Sequence, residues 1–336
     1  MSRTYYLLCQ HAGGHVKGYG CKTFNVSAIE TAPLESVWRP GRPVAVHATL
    51  ATLRRGPRDP AYRLETDGTV WRTCRTPLGP ATLRLTSRPA DASVVATAWG
   101  PGAGWALDAV PALLGHQDAP TGFEPQQPRL REAWRRMPGW RVPRTGLVLE
   151  ALVAAVIEQK VTGQEAFAGW TALVQRFGEP APGPAGELGM RVVPSALQWA
   201  LIPSWEWLRA GVDGQRSATA VRAARVAGRL EQTVGMAHDE AERRLRSVAG
   251  VGVWTAAEVR QRAHGDADAV SFGDYHVAKN IGWALTGTPV DDDGLAELLE
   301  PYRPHRYRVQ RLLELDGARR PRRGPRMSPR THLPRS

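Results

Sequence analysis

Hydrophobic positions alternate with polar ones in the first third of the chain. Short apolar or alternating runs with turn residues between them predict strands at Val44–Leu50, Ala61–Glu65, Thr69–Thr73, Ala81–Leu85 and Val94–Trp99. The pair Asp67-Gly68 predicts a hairpin turn. Leu50–Leu53 and Gly104–Leu114 can each supply a helix. We therefore expect a small antiparallel-sheet domain with one or two helices over residues 36–117.

After a connection at 115–128 that is rich in Pro, Gly and Gln, the apolar positions recur at helical spacing. Leu147–Val161 is almost wholly apolar along one side, which predicts a buried helix. The other predicted helices are Pro128–Met137, Ala166–Phe177, two short ones starting near Ser195 and Ser204, Ser217–Gln232, one starting at His238, and, beyond residue 274, one to Leu285, Gly294–Leu299 and Pro304–Leu315. The fold class is α+β, with the sheet domain followed by a larger all-α domain over 118–317.

The stretch Leu245–Asn280 organises the helical half. Gly250 and Gly252 allow a hairpin too tight for side chains, and Val251 between them can plug it onto a core. Thr255 then begins a second helix. Hairpin amides without intrahelical partners bind phosphate without reading a base. An ordinary loop between packed helices also uses Gly-Val-Gly, so the tripeptide alone is weak evidence.

About twenty residues after Thr255, Asp274 follows Gly273 and precedes another helix. Together, Leu245–Ala256 and Gly273-Asp274-Tyr275 resemble the helix-hairpin-helix DNA glycosylase superfamily. The resemblance implies that Asp274 is the catalytic carboxylate, which stabilises the positive charge that develops on the sugar. A plain helix N-cap is the structural alternative for an Asp after Gly.

The resemblance also indicates which branch of the superfamily this chain is most similar to. Bifunctional members carry a Schiff-base Lys where this chain has Trp254, so a monofunctional enzyme without lyase activity is expected. No Cys follows Cys74, which excludes the iron–sulfur branch and leaves similarity to the DNA-3-methyladenine glycosylase II branch. Such an enzyme flips alkylated purines out of duplex DNA and leaves an abasic site in base excision repair. The alternatives are a glycosylase for another lesion, such as hypoxanthine or uracil, and a non-catalytic helix-hairpin-helix DNA-binding protein.

By the same resemblance, Trp254, Tyr275 and Tyr302 line the base pocket, where aromatic faces stack cationic bases. Core packing is the alternative for each. Glu258 stands where the best-known members have a pocket aromatic, and an acid there would alter base preference.

Gln159 and Lys160 occupy the motif that inserts into the stack left by the flipped base or contacts a phosphate. Lys160 is a poor apolar wedge, and a solvated helix end is the alternative. Related hairpins hold a monovalent Na or K ion on backbone carbonyls, here those of Val248, Val251 and their neighbours. No other cofactor is expected.

The charge agrees with an anionic partner. The net charge of the 336 residues is +12, and all but four of the 44 basic residues are Arg. A double-stranded DNA partner with a damaged base fits this charge, although a genome-wide preference for Arg would also raise it. We expect a monomer that does not bind membranes, and a disordered Arg/Pro-rich tail at 318–336.

The N-terminal residues 1–35 predict a flexible arm or a misassigned start. Cys9, His11, His15 and Cys21 match no common zinc spacing. Three cysteines cannot form a disulfide framework, and no secretory signal or membrane-length apolar run is present. These features favour the reducing cytoplasm, near the bacterial nucleoid.

Overall fold

The computed structural model describes residues 32–321. The predicted Cys/His set and most of the predicted arm and tail lie outside these residues. The strands are β1 (Leu34–Trp38), β2 (Tyr62–Leu64), β3 (Val70–Thr76), β4 (Gly79–Arg88), β5 (Ser93–Trp99), β6 (Glu179–Pro180) and β7 (Arg191–Val192). The helices are α1 (Val46–Leu50), α2 (Ala103–Asp108), α3 (Val110–Leu113), α4 (Pro128–Arg136), α5 (Val148–Glu158), α6 (Gly163–Phe177), α7 (Pro184–Glu187), α8 (Ala196–Leu201), α9 (Ser204–Arg209), α10 (Gly214–Arg225), α11 (Ala227–Glu231), α12 (His238–Arg246), α13 (Val253–Val259), α14 (Val277–Thr286), α15 (Asp292–Leu299) and α16 (Arg306–Leu315).

Five strands form an antiparallel sheet in the order β1-β5-β4-β3-β2. Val70 lies opposite Leu85, and Leu85 lies opposite Ala96, which gives three buried residues in a row across the sheet. The predicted turn at Asp67-Gly68 joins β2 to β3, with Gly68 at φ +85°. The predicted fold class, a small antiparallel sheet followed by a helical region, is confirmed.

Two predictions in the sheet half are wrong. Val44–Leu50 does not form a strand, because Val46–Leu50 is helical and buries Val46, Thr49 and Leu50 at helical spacing. A short apolar run cannot be assigned to strand or helix from periodicity alone. The first strand starts at Leu34, inside the segment that we predicted to be an arm, and pairs with β5.

The helical half is built around α5, whose residues from Val148 to Ile157 are buried except for Glu150. It packs against α6, α10 and α13, as its apolar sequence predicts. The predicted helix Ser217–Gln232 is instead two helices, α10 and α11, separated at Val226. A second core forms between α4, α14, α15 and α16. None of the helices in the described part of the chain is both long and apolar enough to span a membrane.

Ion pairs join the sheet to the helical half. Arg55 lies 3.0 Å from Glu158 and Arg72 lies 2.5 Å from Glu150, so arginines of the sheet region face both glutamates of α5. Burial raises the pKa of the Glu150 carboxyl, and the charge of Arg72 opposes that shift. We call these two pairs the seam. A buried ion pair that loses one partner leaves an uncompensated charge in the protein interior.

The connection at 115–128 is also fixed to the helical half. Asp118 accepts a hydrogen bond from the amide of Val142 at 2.8 Å and forms an ion pair with Arg308 of α16 at 2.5 Å. Both side chains of this pair are almost completely buried.

His264 is a buried histidine at the end of the helical segment that directly follows α13. Its Nε2 lies 3.0 Å from the hydroxyl of Thr233, which itself donates to the carbonyl of Leu230 at 2.6 Å. Because that hydroxyl proton is already used, His264 Nε2 must be the donor, which defines a neutral tautomer. Burial, together with the charge of His238, lowers the pKa of His264 to about 4.

Candidate active site

The hairpin between α12 and α13 has the predicted form. Gly250 has φ +95°, and its missing side chain leaves room for Thr219 of α10. Val251 is buried in the core that also contains Leu245, as predicted. Gly252 has φ −96° and open space in front of its α-carbon, so the hairpin presents backbone to solvent at this residue.

Gln159 braces the hairpin from the end of α5. Its Nε2 donates to the carbonyl of Gly250 at 3.0 Å and to the hydroxyl of Thr255 at 2.8 Å. One prediction needs correction: Gln159 is bound to protein and does not project as an inserting side chain. Thr255 is only 2% exposed, so its hydroxyl supports the hairpin from inside.

Lys160 occupies the exposed corner between α5 and α6. It is one of two non-glycine residues with positive φ in residues 32–321, at φ +54°. Thr162 directly after it forms a capping box with Glu165 that fixes the start of α6. A non-glycine residue in this conformation costs about 1–2 kcal/mol. The backbone thus holds the lysine outward in a strained conformation at the predicted position of DNA contact.

Asp274 is both a helix cap and a partner of the hairpin helix. Its Oδ1 accepts from the amides of His276 at 2.8 Å and Val277 at 3.1 Å, at the start of α14. Its Oδ2 accepts from the indole Nε1 of Trp254 at 3.2 Å. The carboxylate is half-buried, so it is held on two sides but is not enclosed by protein.

Two aromatic side chains lie beside this carboxylate. Trp254 is half-buried, and Tyr275 is 69% exposed. The ammonium of Lys279 lies 4.0 Å from the centroid of the Tyr275 ring, a cation–π contact that covers part of one face. Lys160 and Lys279, the two lysines of the described residues, are both in this region. Sequence reasoning did not identify Lys279, although it follows Asp274 by little more than one helical turn.

Two predicted pocket residues lie elsewhere. Tyr302 is buried in the core beside Phe123, and its hydroxyl bonds to Gln126 and Gln127, so it packs the interior and does not form a pocket wall. Glu258 is 8% exposed, with its carboxylate between Arg262 and Ser271. These partners occupy both oxygens of Glu258, so it is part of a buried network.

Two cavities in the described residues lie away from Asp274. One of about 20 Å³ lies at the seam beside Arg55 and Glu150. The other, about 360 Å³, is lined by Arg54, Arg58 and Tyr62 among others. Neither is lined by Asp274 or by its aromatic neighbours Trp254 and Tyr275.

Among residues 32–321 no group of three or more His, Cys, Asp or Glu side chains is placed to hold a metal ion. The predicted monovalent cation would be held by backbone carbonyls instead. The carbonyl of Val248 accepts the amide of Val251 at 2.9 Å. Occupancy by Na or K stays a prediction.

The chain is similar to known proteins in sequence and in fold. No protein-family model matches the chain. Over 186 residues it is 31% identical to the probable bifunctional transcriptional activator/DNA repair enzyme AlkA of two Mycobacterium tuberculosis strains. The match covers 55% of this chain and 37% of each relative, so the chain spans little more than a third of the length of these curated relatives.

Among solved structures, the 3-methyladenine DNA glycosylase of Archaeoglobus fulgidus superposes with a TM-score of 0.70 at 16% identity, covering 84% of this chain and 98% of that one. The 8-oxoguanine glycosylase/lyase of Clostridium acetobutylicum, bound to DNA with cytosine opposite 8-oxoguanine, gives 0.63 at 11% identity, covering 84% and 96%. The chain therefore has the fold of helix-hairpin-helix DNA glycosylases, and the resemblance predicted from the sequence is confirmed.

Proposed function

We propose that this chain is a monofunctional DNA N-glycosylase of base excision repair that removes alkylated purines from duplex DNA and leaves an abasic site. One observation carries the proposal: the half-buried carboxylate of Asp274 accepts a hydrogen bond from Trp254. Trp254 follows Gly250 of the backbone hairpin by only four residues. The hairpin and the carboxylate are thereby held together at the surface where a DNA backbone can approach.

The roles of the residues follow from their exposure. The exposed backbone at Gly252 binds a phosphate of the damaged strand, since no side chain stands in front of it. Lys160, held outward at the corner, contacts a second phosphate or fills the space left by the flipped nucleotide. The extruded base stacks on the aromatic surfaces of Trp254 and Tyr275, which attract the positive charge of an alkylated purine.

The bond to be broken joins the base to C1′ of the sugar. As it lengthens, positive charge develops on the sugar, and the fixed carboxylate of Asp274 stabilises that charge and orients the attacking water. The indole N–H of Trp254 keeps the carboxylate in one orientation. Since Trp254 carries no amine, cleavage of the DNA strand through a Schiff base at this position is not expected.

Substitution of Asp274 by Asn tests the proposal. Asn keeps the side-chain oxygen that caps α14 but removes the charge, so we expect base release to fall at least about 1000-fold. Binding to abasic-site DNA should change by less than about threefold. Asp291→Asn is a matched control, because Asp291 caps the next helix through the amide of Gly294 and lies outside the site. Normal base release by the Asp274 variant would refute the assignment.

A panel of duplex oligonucleotides, each with one defined lesion, identifies the substrate. We expect release of 3-methyladenine or 7-methylguanine in preference to hypoxanthine or uracil. Preference for a neutral base would assign a different lesion class to the same site. Salt-dependent DNA binding without release of any base would mean a DNA-binding protein that does not catalyse the reaction.

A further inference from the structure

The hydroxyl of Ser271, three residues before Asp274, is bonded on every side. Its Oγ lies 2.6 Å from Glu258 Oε1, 2.8 Å from Gln261 Nε2 and 3.1 Å from Gln310 Nε2. Ser271 is 1% exposed, so these three side chains replace all solvent contacts. A hydroxyl offers one donor and two acceptor positions, and all of them are used here.

The direction of each bond follows from the other partners of the two amides. Gln261 Nε2 also lies 2.7 Å from the carbonyl of Ala269, which can only accept. Gln310 Oε1 accepts the backbone amide of Ser271 at 3.1 Å, so its nitrogen is the group that faces the hydroxyl. Both amides therefore donate to Ser271, and the hydroxyl proton can only go to Glu258.

Glu258 is held from its other side by Arg262, one helical turn further along. Arg262 Nη1 lies 2.7 Å from Glu258 Oε2, and Arg262 Nε donates to the carbonyl of Thr52 at 3.0 Å. Burial disfavours the charged form of Arg262, but the charges of Glu258 and Glu158 outweigh burial and raise its pKa. The carboxylate of Glu258 is thus a fixed acceptor.

A single turn connects Ser271 to the proposed catalytic carboxylate. The amide of Asp274 donates to the carbonyl of Ser271 at 3.2 Å. Trp254 and Glu258 are four residues apart on α13, so they lie on one face, and each bonds one end of this turn. The turn is clamped at two points to the same helix.

We propose that Glu258 is a positioning residue for Asp274: by accepting the proton of Ser271 it fixes the Ser271–Asp274 turn and hence the carboxylate. This inference rests on the proposed glycosylase function. It replaces the sequence-based interpretation of Glu258 as a wall that selects bases. A positioning residue changes the rate for every lesion by the same factor, whereas an acid in contact with the base would change the rate for cationic lesions selectively.

Single-turnover excision tests this difference with one cationic lesion, 7-methylguanine, and one neutral lesion, hypoxanthine. We expect Glu258→Gln and Ser271→Ala to lower the rate about 10- to 100-fold on each lesion that the wild type excises, because a small misplacement of a reacting group has effects of this size. Affinity for abasic-site DNA should stay within about twofold. Ser271→Thr, which keeps the hydroxyl, should retain most of the rate. If the wild type excises both lesions, an effect of Glu258→Gln on 7-methylguanine alone would overturn the inference. An unchanged rate on every lesion that the wild type excises would also overturn it.

Amide hydrogen exchange tests the clamp without activity. In Ser271→Ala the amides of Asp274, His276 and Val277 should exchange at least about tenfold faster, while those of α5 stay unchanged. Glu314→Gln is the control, since Glu314 bonds Gln310 at 2.9 Å but does not touch Ser271 or Glu258. If the wild type releases no base, the proposed function fails; if exchange at Asp274 is unaltered in Ser271→Ala, the clamp itself is refuted.

Discussion

The two glycines of the hairpin should respond very differently to the same substitution. Gly250 has φ +95°, and a methyl group there would overlap the hydroxyl of Thr219 and lie 2.9 Å from its Cγ2. Thr219 is fully buried in α10 and donates to the carbonyl of Gln215 at 2.9 Å, so it has little room to move. Gly252 has φ −96°, and nothing lies within 4 Å of the position that a methyl group would occupy.

The magnitude follows from these two environments. For Gly250→Ala, the left-handed backbone costs about 1–2 kcal/mol and the overlap with a buried side chain costs about 1–3 kcal/mol, so we expect a loss of about 2–5 kcal/mol in the free energy of unfolding. For Gly252→Ala the expected change is within about 0.5 kcal/mol. Its methyl group would instead stand between the hairpin backbone and a DNA phosphate, which should weaken DNA binding about tenfold.

Urea unfolding followed by tryptophan fluorescence measures the first effect, and fluorescence anisotropy with labelled duplex measures the second. The two variants control for each other, since the substitution is identical and the positions are two residues apart. Equal destabilisation by both substitutions would contradict the steric argument. Unchanged DNA binding by Gly252→Ala would contradict the assignment of this backbone to a phosphate.

Three further perturbations test other parts of the molecule. Trp254→Phe keeps an aromatic surface but removes the indole bond to Asp274, so the excision rate should fall about tenfold in single-turnover assays while binding of abasic-site DNA is kept. Asp118→Asn leaves Arg308 without its buried counter-charge and should lower the free energy of unfolding by about 3 kcal/mol in urea titrations; no loss would show that the pair is dispensable. The pKa of His264 is lowered to about 4, so the unfolded chain binds the proton more readily and stability should decrease as pH falls from about 6.5 to about 4. In His264→Gln, the free energy of unfolding should decrease less over this pH range, by up to about 3 kcal/mol, in a pH series of unfolding curves. An unchanged dependence on pH would exclude His264 as the cause.

The sequence was most informative where structure is determined locally. The hairpin, the buried Val251 and the helix that follows depend on neighbouring residues, and all three were predicted correctly. The run Val44–Leu50 was not, because so short a stretch satisfies strand and helix patterns equally, and packing decides between them. The pairing of β1 with β5 joins segments about 60 residues apart and left no local signal.

In the candidate site, too, local features could be predicted and long-range contacts could not. Asp274 was proposed from the sequence because its distance from the hairpin is recognisable, and its catalytic role stays a prediction. The environment of Glu258 was not predicted. Its bond to Ser271 spans 13 residues, and Gln310 reaches the same serine from 39 residues away. Only Arg262, four residues after Glu258 on one helix face, could have been inferred from spacing. The sequence therefore did not show that Glu258 lies in a buried network.

The seam between the sheet and α5 determines whether the helical half can fold without the sheet. Arg55 and Arg72 are the counter-charges of Glu158 and Glu150, so a fragment that starts after residue 117 would carry two orphaned carboxylates on the helix at its centre. We expect the helical half to fold as an independent module only if those glutamates are neutralised in the same step. A fragment in which both become Gln or Leu is the version we expect to fold alone.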